Sequence, residues 1–418
     1  MTTFSAKLLN PPPLDVLGPK PSLKEMAFKG PLQPQPFTIE TPQQVLDDMK
    51  TLIKLGRLAP ATYEGTHPEG GFGISDKWIK EAREFWLSNF DWRAHEKSIN
   101  SLPNWRADVT DDDGTIYNVH FIGVLSNDAN AVPLVLLHGW PGSVLEFLEI
   151  IPILQKSTSP PFHIIAPSLP GYGWSSGPPP HVNFNISGIA RIIDKLVTGL
   201  GFRNYVVQGG DIGSHVARAL GAGAPNCRAA HINMFFAKEA PAEGLPLTPA
   251  DQERLKNILK FKTTGFAYAY EHATRPSTIG HVLSSNPIAL LAWIGEKFLA
   301  WTDPESTPSL DTILAMVTVY WVTNSASTSL YPYRATARDD PHPYLTIKKP
   351  FGYSILPKEI LPYPSSWVGY KSNLVFVREH KKGGHFAALE CPREFAGDIV
   401  EFVSTLHKFE TSPESGSA

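Results

Sequence analysis

The sequence predicts an α/β protein with a mostly parallel central sheet, an inserted helical cap and an N-terminal helical extension. From about residue 115, short apolar runs such as "VPLVLLHGW", "FHIIAPSLP" and "NYVVQGGD" alternate with helical segments, a pattern typical of a parallel sheet covered on both faces. Over 237–339 the strand signal disappears and helical, aromatic-rich sequence replaces it. The strand pattern returns at "KSNLVFVREH", so the interruption predicts a cap inserted into the sheet domain.

These changes of pattern divide the chain into segments. In the N-terminal extension, "TPQQVLDDMKTLIKLGRL" and "SDKWIKEAREFWLSNFDW" place apolar residues at helical spacing, and Ser75 is a candidate N-cap. We therefore expect a proline-rich arm over 1–36, a helical segment over 37–114, the sheet domain over 115–236 and 340–410, the cap over 237–339, and a polar tail over 411–418.

The composition limits the partners that the chain can have. Of 418 residues, 42% are hydrophobic and 18% are charged, and the formal net charge is -3. This balance favours neither disorder nor a nucleic-acid-binding surface, so a small apolar molecule is the expected partner. The two cysteines, Cys227 and Cys391, cannot build a disulfide framework and have no neighbours at metal-ligand spacing. We expect no metal and no cofactor.

The chain shows no pattern of a membrane or secreted protein. Its first residues contain no apolar stretch behind a basic start, and their prolines break any helix. The apolar run over 288–301 is too short to span a bilayer and contains Glu296 and Lys297. We expect a cytoplasmic protein without signal peptide or membrane anchor, in which this run is a cap helix.

A glycine-flanked aspartate is the strongest single motif. In "QGGDIGS", Gly209 and Gly213 stand two residues on either side of Asp211, between a strand and a helix. This spacing is typical of a nucleophile elbow, whose strained turn needs small neighbours and brings the N–H of the next residue, Ile212, near developing negative charge. Taken alone, an aspartate at a helix start is more often an N-cap.

Other segments in chain order favour the catalytic interpretation. "LLHGWPGS" follows a central strand, where the backbone N–H of Trp140 would be the second oxyanion donor. In "GGHFAALE", His385 precedes the final helix, the position of a general base in the order nucleophile, acid, histidine. A carboxylate should orient this imidazole. Glu359 in "LPKEILPYP" suits that position, and Glu379, within the strand-like run before His385, is its rival.

Several motifs together resemble one family. "HGWPGS", "GGDIGS", "TRPSTIG" with "LLAWIGEKF", and "GGHFAALE" resemble the microsomal-type epoxide hydrolases, a branch of the α/β-hydrolase superfamily. The resemblance covers residues 37–409 and implies the α/β-hydrolase fold. Membrane-bound relatives carry an N-terminal anchor where this chain has a proline-rich arm, so the chain resembles the soluble fungal or bacterial members.

The resemblance implies a mechanism and gives the aspartate a purpose. Asp211 would open an epoxide and form an ester, and His385, held by Glu359, would activate the water that cleaves it. A serine would form an ether, which has no acyl carbon for water to attack and would stay on the enzyme. The N–H groups of Trp140 and Ile212 would hold the oxyanion during hydrolysis. No cofactor is needed.

The resemblance also implies two cap tyrosines that hydrogen-bond the epoxide oxygen. Matching by motif assigns Tyr268, which precedes "EHATRPSTIG", and Tyr333 in "LYPYRA". Their close neighbours Tyr270 and Tyr331 are the alternatives. A homodimer, formed by exchange of the N-terminal segment, is a further expectation from the family.

Three other functions fit parts of the pattern. A haloalkane or haloacid dehalogenase uses the same aspartate chemistry, but binds halide with tryptophan or asparagine N–H donors and not with a tyrosine pair. A serine esterase is disfavoured because Ser214 lies inside the helix that follows Asp211. A non-catalytic ligand-binding relative would commonly have lost a catalytic residue. The natural epoxide, its stereochemistry, and a detoxifying or biosynthetic role stay open.

Overall fold

The structure is a computed structural model that describes residues 28–237, 241, 244–337 and 345–411. The strands are, in chain order, β1 Gln35–Pro36, β2 Asn104–Thr110, β3 Ile116–Val124, β4 Val132–Leu137, β5 Phe162–Pro167, β6 Tyr205–Gly209, β7 Cys227–Ile232, β8 Phe351–Ile355 and β9 Leu374–Glu379. The helices are α1 Gln43–Leu55, α2 Tyr63–Thr66, α3 Asp76–Ser88, α4 Trp92–Ile99, α5 Ile150–Gln155, α6 Ile186–Gly199, α7 Asp211–Gly223, α8 Pro249–Thr264, α9 Ala267–Thr274, α10 Pro276–Ser285, α11 Pro287–Ala300, α12 Leu310–Val322, α13 Pro332–Ala337, α14 Ser365–Val368, α15 Ala387–Glu390 and α16 Pro392–Thr411.

The strands form one sheet in the order β1-β2-β3-β5-β4-β6-β7-β8-β9. From β5 to β9 all neighbouring strands are parallel, whereas β1, β2 and β3 form an antiparallel edge. Every residue of β6 is buried, as expected for a strand whose two faces are both covered. The predicted α/β class and mostly parallel sheet are confirmed.

The sheet also reaches into the segment that was expected to be helical. Helices α1 to α4 lie within 37–114, and Ser75 caps α3 by accepting a hydrogen bond from the N–H of Trp78. However, β2 follows α4 and pairs along its whole length with β3. Its buried Ala107 and Val109 alternate with exposed Asp108 and Thr110, a period of two. The expectation of a helical segment over 37–114 is therefore incomplete.

Two other strands, β1 and β8, carry weaker sequence signals. β1 lies inside the expected arm and pairs with β2, and residues 1–27 of that arm lie outside the described residues. β8 precedes "KSNLVFVREH", where the strand pattern was expected to return, and it pairs with β7. Its sequence "FGYSI" contains glycine and serine, which weaken a strand pattern, although all five residues are buried.

Helices α8 to α13 occupy the chain between β7 and β8, the region that was expected to be a cap. The apolar run over 288–301 forms most of α11, and Lys297 is buried within it. Trp78 of α3 packs against Gly295 of α11, where a Cβ atom would overlap with the indole ring. Among the described residues, no helix is long and apolar enough to cross a membrane.

Several histidines are buried in the core as neutral side chains. Burial lowers the pKa of His120 and His272 to about 3, and that of His138 and His231 to about 4. His120 shows how such a ring is satisfied, because Nδ1 lies 2.9 Å from the hydroxyl of Ser168. A neutral imidazole that is buried in this way must gain a proton when the chain unfolds in acid.

We therefore expect acid to destabilise the fold. These four pKa values are lowered from an unfolded value of about 6.5. Each histidine therefore lowers the free energy of unfolding by roughly 1.4 kcal/mol per pH unit as the pH falls below 6.5. Glu146, whose pKa burial raises to about 8, acts in the opposite direction. Urea unfolding should therefore show a net loss of several kcal/mol between about pH 6.5 and 4.5. A constant free energy of unfolding across this window would contradict the prediction.

Candidate active site

A strained turn presents Asp211 at the end of β6. Asp211 is the first residue of α7 and has a φ of 46°, in the left-handed region that residues other than glycine rarely adopt. A Cβ atom at Gly209 would overlap with the backbone of Gly213, and one at Gly213 would overlap with the carbonyl group of Leu137. The two glycines therefore allow the turn to close as their spacing predicts.

Three hydrogen-bond donors surround the carboxylate of Asp211. Oδ1 accepts from the backbone N–H of Trp140 at 2.8 Å, and Oδ2 lies 3.4 Å from Nε2 of His385. The backbone N–H of Ile212 is the third donor. Burial raises the pKa of Asp211, but these donors outweigh burial and hold it below its ordinary value. The carboxylate is therefore ionised at neutral pH.

Glu359 orients the imidazole from the other side. Nδ1 of His385 lies 2.9 Å from Oε1 and 3.1 Å from Oε2 of Glu359, and both side chains are 1% exposed. Burial lowers the pKa of His385, but the charges of Glu359 and Asp211 outweigh it and raise the pKa well above its ordinary value. The rival Glu379 is 55% exposed and instead pairs with Arg254 at 2.7 Å.

The two tyrosines assigned by motif meet above Trp140. Tyr268 on α9 and Tyr333 on α13 are both buried. The ring of Trp140 stacks on Tyr268 with 5.3 Å between centroids and meets the edge of Tyr333 at 6.0 Å. Burial raises the pKa of each tyrosine well above its ordinary value, and a hydrogen bond joins the two side chains.

The alternative hydroxyl groups lie elsewhere. The side chain of Tyr270 is on the outer face of α9, and the residue is 62% exposed. The hydroxyl of Tyr331 donates to the carbonyl oxygen of Pro170 at 2.7 Å. Ser214 donates to the main-chain oxygen of Asp211 at 2.6 Å, inside the first turn of α7. The structure therefore brings Asp211, His385, Glu359, Trp140, Ile212, Tyr268 and Tyr333 together in one place.

Comparisons with known proteins identify the family of the chain. Residues 34–147 match the family model described as epoxide hydrolase N terminus, and residues 132–287 match the alpha/beta hydrolase fold. The structure of Aspergillus niger epoxide hydrolase is 46% identical, with a TM-score of 0.84 over 91% of this chain and 100% of that chain. The chain belongs to the epoxide hydrolase family.

Animal members of the epoxide hydrolase family are similar over almost the same length. Epoxide hydrolase 1 of Sus scrofa is 30% identical over 414 residues, which cover 90% of this chain and 89% of that protein. Juvenile hormone epoxide hydrolase from the silkworm Bombyx mori is 28% identical, with a TM-score of 0.82 over 92% of this chain and 97% of that chain. The resemblance and the α/β-hydrolase fold inferred from the motifs are confirmed.

The candidate site contains a third carboxyl group, which the sequence pattern did not single out. Glu146, on the 3-10 turn Val144–Phe147, lines a cavity of about 20 Å³ together with Asp211 and His385. That is room for about one water molecule. Burial raises the pKa of Glu146 to about 8, so it is protonated at neutral pH. The signal in "HGWPGSVLEF" is a single acidic residue among apolar ones, which is too common to identify a site.

Two further groups stand behind the tyrosines. His272 on α9 accepts a hydrogen bond from Nε1 of Trp293 at 2.9 Å, and its ring lies 4.8 Å from that of Tyr333. Lys297 on α11 lies over the ring of Tyr268. The sequence shows that Lys297 lies in an apolar helix, but it does not show which side chains Lys297 contacts. Within the part of the chain that the structure describes, no group of three or more His, Cys, Asp or Glu side chains is arranged to hold a metal ion.

Removal of the Glu359 charge should move the titration of His385. In Glu359→Gln, the imidazole loses the carboxylate that raises its pKa most, so it should release its proton at lower pH than in the wild type. NMR of labelled histidine rings measures this directly. The matched control is Glu379→Gln, which removes a carboxylate that pairs with Arg254 and should leave His385 unchanged. An unaltered titration in Glu359→Gln would contradict the assigned contact.

Proposed function

We propose that this member of the epoxide hydrolase family converts an apolar epoxide to a vicinal diol through a covalent ester on Asp211. The observation that carries the proposal is the Asp211 carboxylate itself, held ionised by the N–H of Trp140 at 2.8 Å with His385 at 3.4 Å. A carboxylate can attack a strained ring carbon and form an ester that water later cleaves. A serine in the place of Asp211 would form an ether, which this site could not hydrolyse.

The tyrosine pair supplies the acid for ring opening. As Asp211 attacks the ring carbon, the carbon–oxygen bond breaks and its electron pair moves to the epoxide oxygen. An alkoxide is costly in an apolar pocket unless it receives a hydrogen bond or a proton. Tyr268 and Tyr333 are neutral at physiological pH because burial raises the pKa of each, so both hydroxyl groups can donate.

Ester formation prepares His385 for the second step. In the resting site, both Glu359 and Asp211 raise the pKa of His385. When Asp211 becomes a neutral ester, one of these negative charges disappears and the pKa of His385 falls toward its ordinary value. The imidazolium can then release its proton, and the neutral imidazole can accept a proton from water, which attacks the acyl carbon. The N–H groups of Trp140 and Ile212 would hold the oxyanion, a contribution of about 3 kcal/mol for each donor.

Helices α8 to α13 would act as the cap over this chemistry. They carry both tyrosines, and the surrounding residues are largely aromatic, which favours an apolar epoxide. A buried tyrosine pair close enough to the nucleophile for its charge to act on both phenols supports an epoxide more than a carbon–halogen bond. The complete Asp211, His385 and Glu359 set supports catalysis over simple ligand binding. The dehalogenase and the non-catalytic relative are therefore the less favoured functions.

A single turnover in heavy-oxygen water tests the ester. With enzyme in excess over racemic styrene oxide, attack by Asp211 predicts labelled Asp211 and unlabelled diol after one cycle, because water oxygen enters the carboxylate. Mass analysis of the Asp211 peptide and of the diol gives the answer. Label in the diol alone would mean direct attack by water and would overturn the ester mechanism.

Two variants separate the steps of the same experiment. Asp211→Ala should abolish turnover, and His385→Gln should accumulate the ester because ring opening does not require the base. Rapid quenching and intact-protein mass spectrometry detect the adduct. If His385→Gln forms no adduct, or Asp211→Ala keeps wild-type activity, the assigned roles are wrong.

The tyrosines are tested by removal of single hydroxyl groups. Tyr268→Phe and Tyr333→Phe should each slow ester formation by about 10- to 100-fold, and the double variant should nearly stop it. Tyr270→Phe is the matched control, because Tyr270 lies on the same helix but is 62% exposed. Stopped-flow or rapid-quench rates of ester formation provide the measurement. An active double variant would contradict the assignment.

A further inference from the structure

A buried lysine lies directly behind one of the two tyrosines. Lys297 is 4% exposed, and its ammonium nitrogen lies 4.7 Å from the ring centroid of Tyr268. The rings of Trp293 and Trp301 complete an aromatic enclosure at 5.5 Å and 5.8 Å. Glu296 forms an ion pair with Lys297 and is itself more exposed. Removal of an ammonium group from water is costly, so a lysine in this position needs a physical reason.

The charge of Lys297 already acts on the helix that carries Tyr268. Burial and, after burial, the charge of Lys297 lower the pKa of His272, one turn along α9, to about 3. Around Tyr268 the other charged or titratable neighbours are Asp211, Glu359, Glu296, Tyr333 and His272. The three carboxylates raise the pKa of Tyr268 and the hydrogen bond from Tyr333 lowers it. Lys297 is the cation placed against its ring.

Ring opening moves negative charge toward this lysine. Before the reaction, the charge is on Asp211. When the ester forms, Asp211 becomes neutral and the charge passes to the epoxide oxygen, then to the phenol that protonates it. A cation close to an aromatic ring stabilises negative charge that develops on that ring, especially in a site with little water.

We propose that Lys297 is a positioning residue that stabilises the phenolate form of Tyr268 as Tyr268 gives its proton to the opening epoxide. The inference rests on the proposed function, in which Tyr268 is an acid. The carbon–oxygen bond of the epoxide breaks, the ester bond to Asp211 forms, and the phenol proton moves to the former epoxide oxygen. The proton that His385 releases after ester formation restores Tyr268, and hydrolysis then returns Asp211 to the carboxylate and a proton to His385. No further reactant is required.

Charge and packing are separated by two substitutions at the same position. Lys297→Met keeps a long side chain among the aromatic rings but removes the charge, whereas Lys297→Arg keeps the charge. Lys297→Met should slow ester formation by about 5- to 30-fold and leave ester hydrolysis within about twofold of the wild type. Lys297→Arg should recover most of the rate. Lys262→Met is the matched control, because Lys262 lies over Phe236 and Tyr363 and not over Tyr268.

A double-mutant cycle tests whether Lys297 acts through Tyr268. If it does, Lys297→Met should have little further effect on ester formation in the Tyr268→Phe background, since no phenolate can form at position 268. An equal loss in both backgrounds would overturn the proposal. So would equal slowing of ester formation and hydrolysis in Lys297→Met, or failure of Lys297→Arg to recover the rate, since either result indicates a packing role.

The same measurements distinguish this inference from the proposed function. If the wild type forms no ester on Asp211, the proposed function fails, and the inference about Lys297 fails with it. If the ester forms and Tyr268→Phe slows it, but Lys297→Met does not, the proposed function stands and the inference about Lys297 is wrong.

Discussion

The site depends on the register between two parallel strands, β4 and β6. Leu137, the last residue of β4, pairs with Gly209, the last residue of β6, so the turns that follow them lie side by side. One turn carries the N–H of Trp140 and the other carries Asp211, and these two groups meet at 2.8 Å. A Cβ atom at Gly139 would overlap with Asp211, so the close approach also needs a residue without a side chain. A shift of one residue between the strands would separate donor from acceptor.

Around this contact, the protein keeps charges buried by pairing each with a neighbour. His385 lies between Glu359 and Asp211, and Lys297 pairs with Glu296 on the far side of the tyrosines. Burial of such a pair costs free energy of solvation. Loss of one partner destabilises the protein, because the other charge then stays buried without compensation. Formation of an ester would remove the charge of Asp211. His385 and Lys297 would then lie close to a site whose negative charge has moved to the opened epoxide. The same buried charges therefore affect both the stability of the fold and the proposed reaction.

The N-terminal segment is part of both the sheet and the cap support. Through β2 it extends the antiparallel edge of the sheet, and through Trp78 it packs against Gly295 of α11, the helix that carries Lys297. Asn286, at the start of α11, also donates to the carbonyl oxygen of Leu52 at 3.5 Å. The match of residues 34–147 to a single family model agrees with a segment that is integrated into the rest of the protein.

The sequence by itself determined the α/β class, the parallel sheet and the turn at Asp211, because these depend on local patterns: apolar runs, helix caps and glycine spacing. β2 and β8 were not predicted, because the alternation of β2 is short and β8 is buried along its whole length, so "FGYSI" shows no alternation. Only the tertiary structure decided that His385 contacts Glu359 and not Glu379, that Tyr268 and Tyr333 face Trp140, and that Glu146 and Lys297 lie beside the site. Those contacts join residues that are far apart in sequence, so they depend on how helices pack over the sheet, which no local pattern specifies.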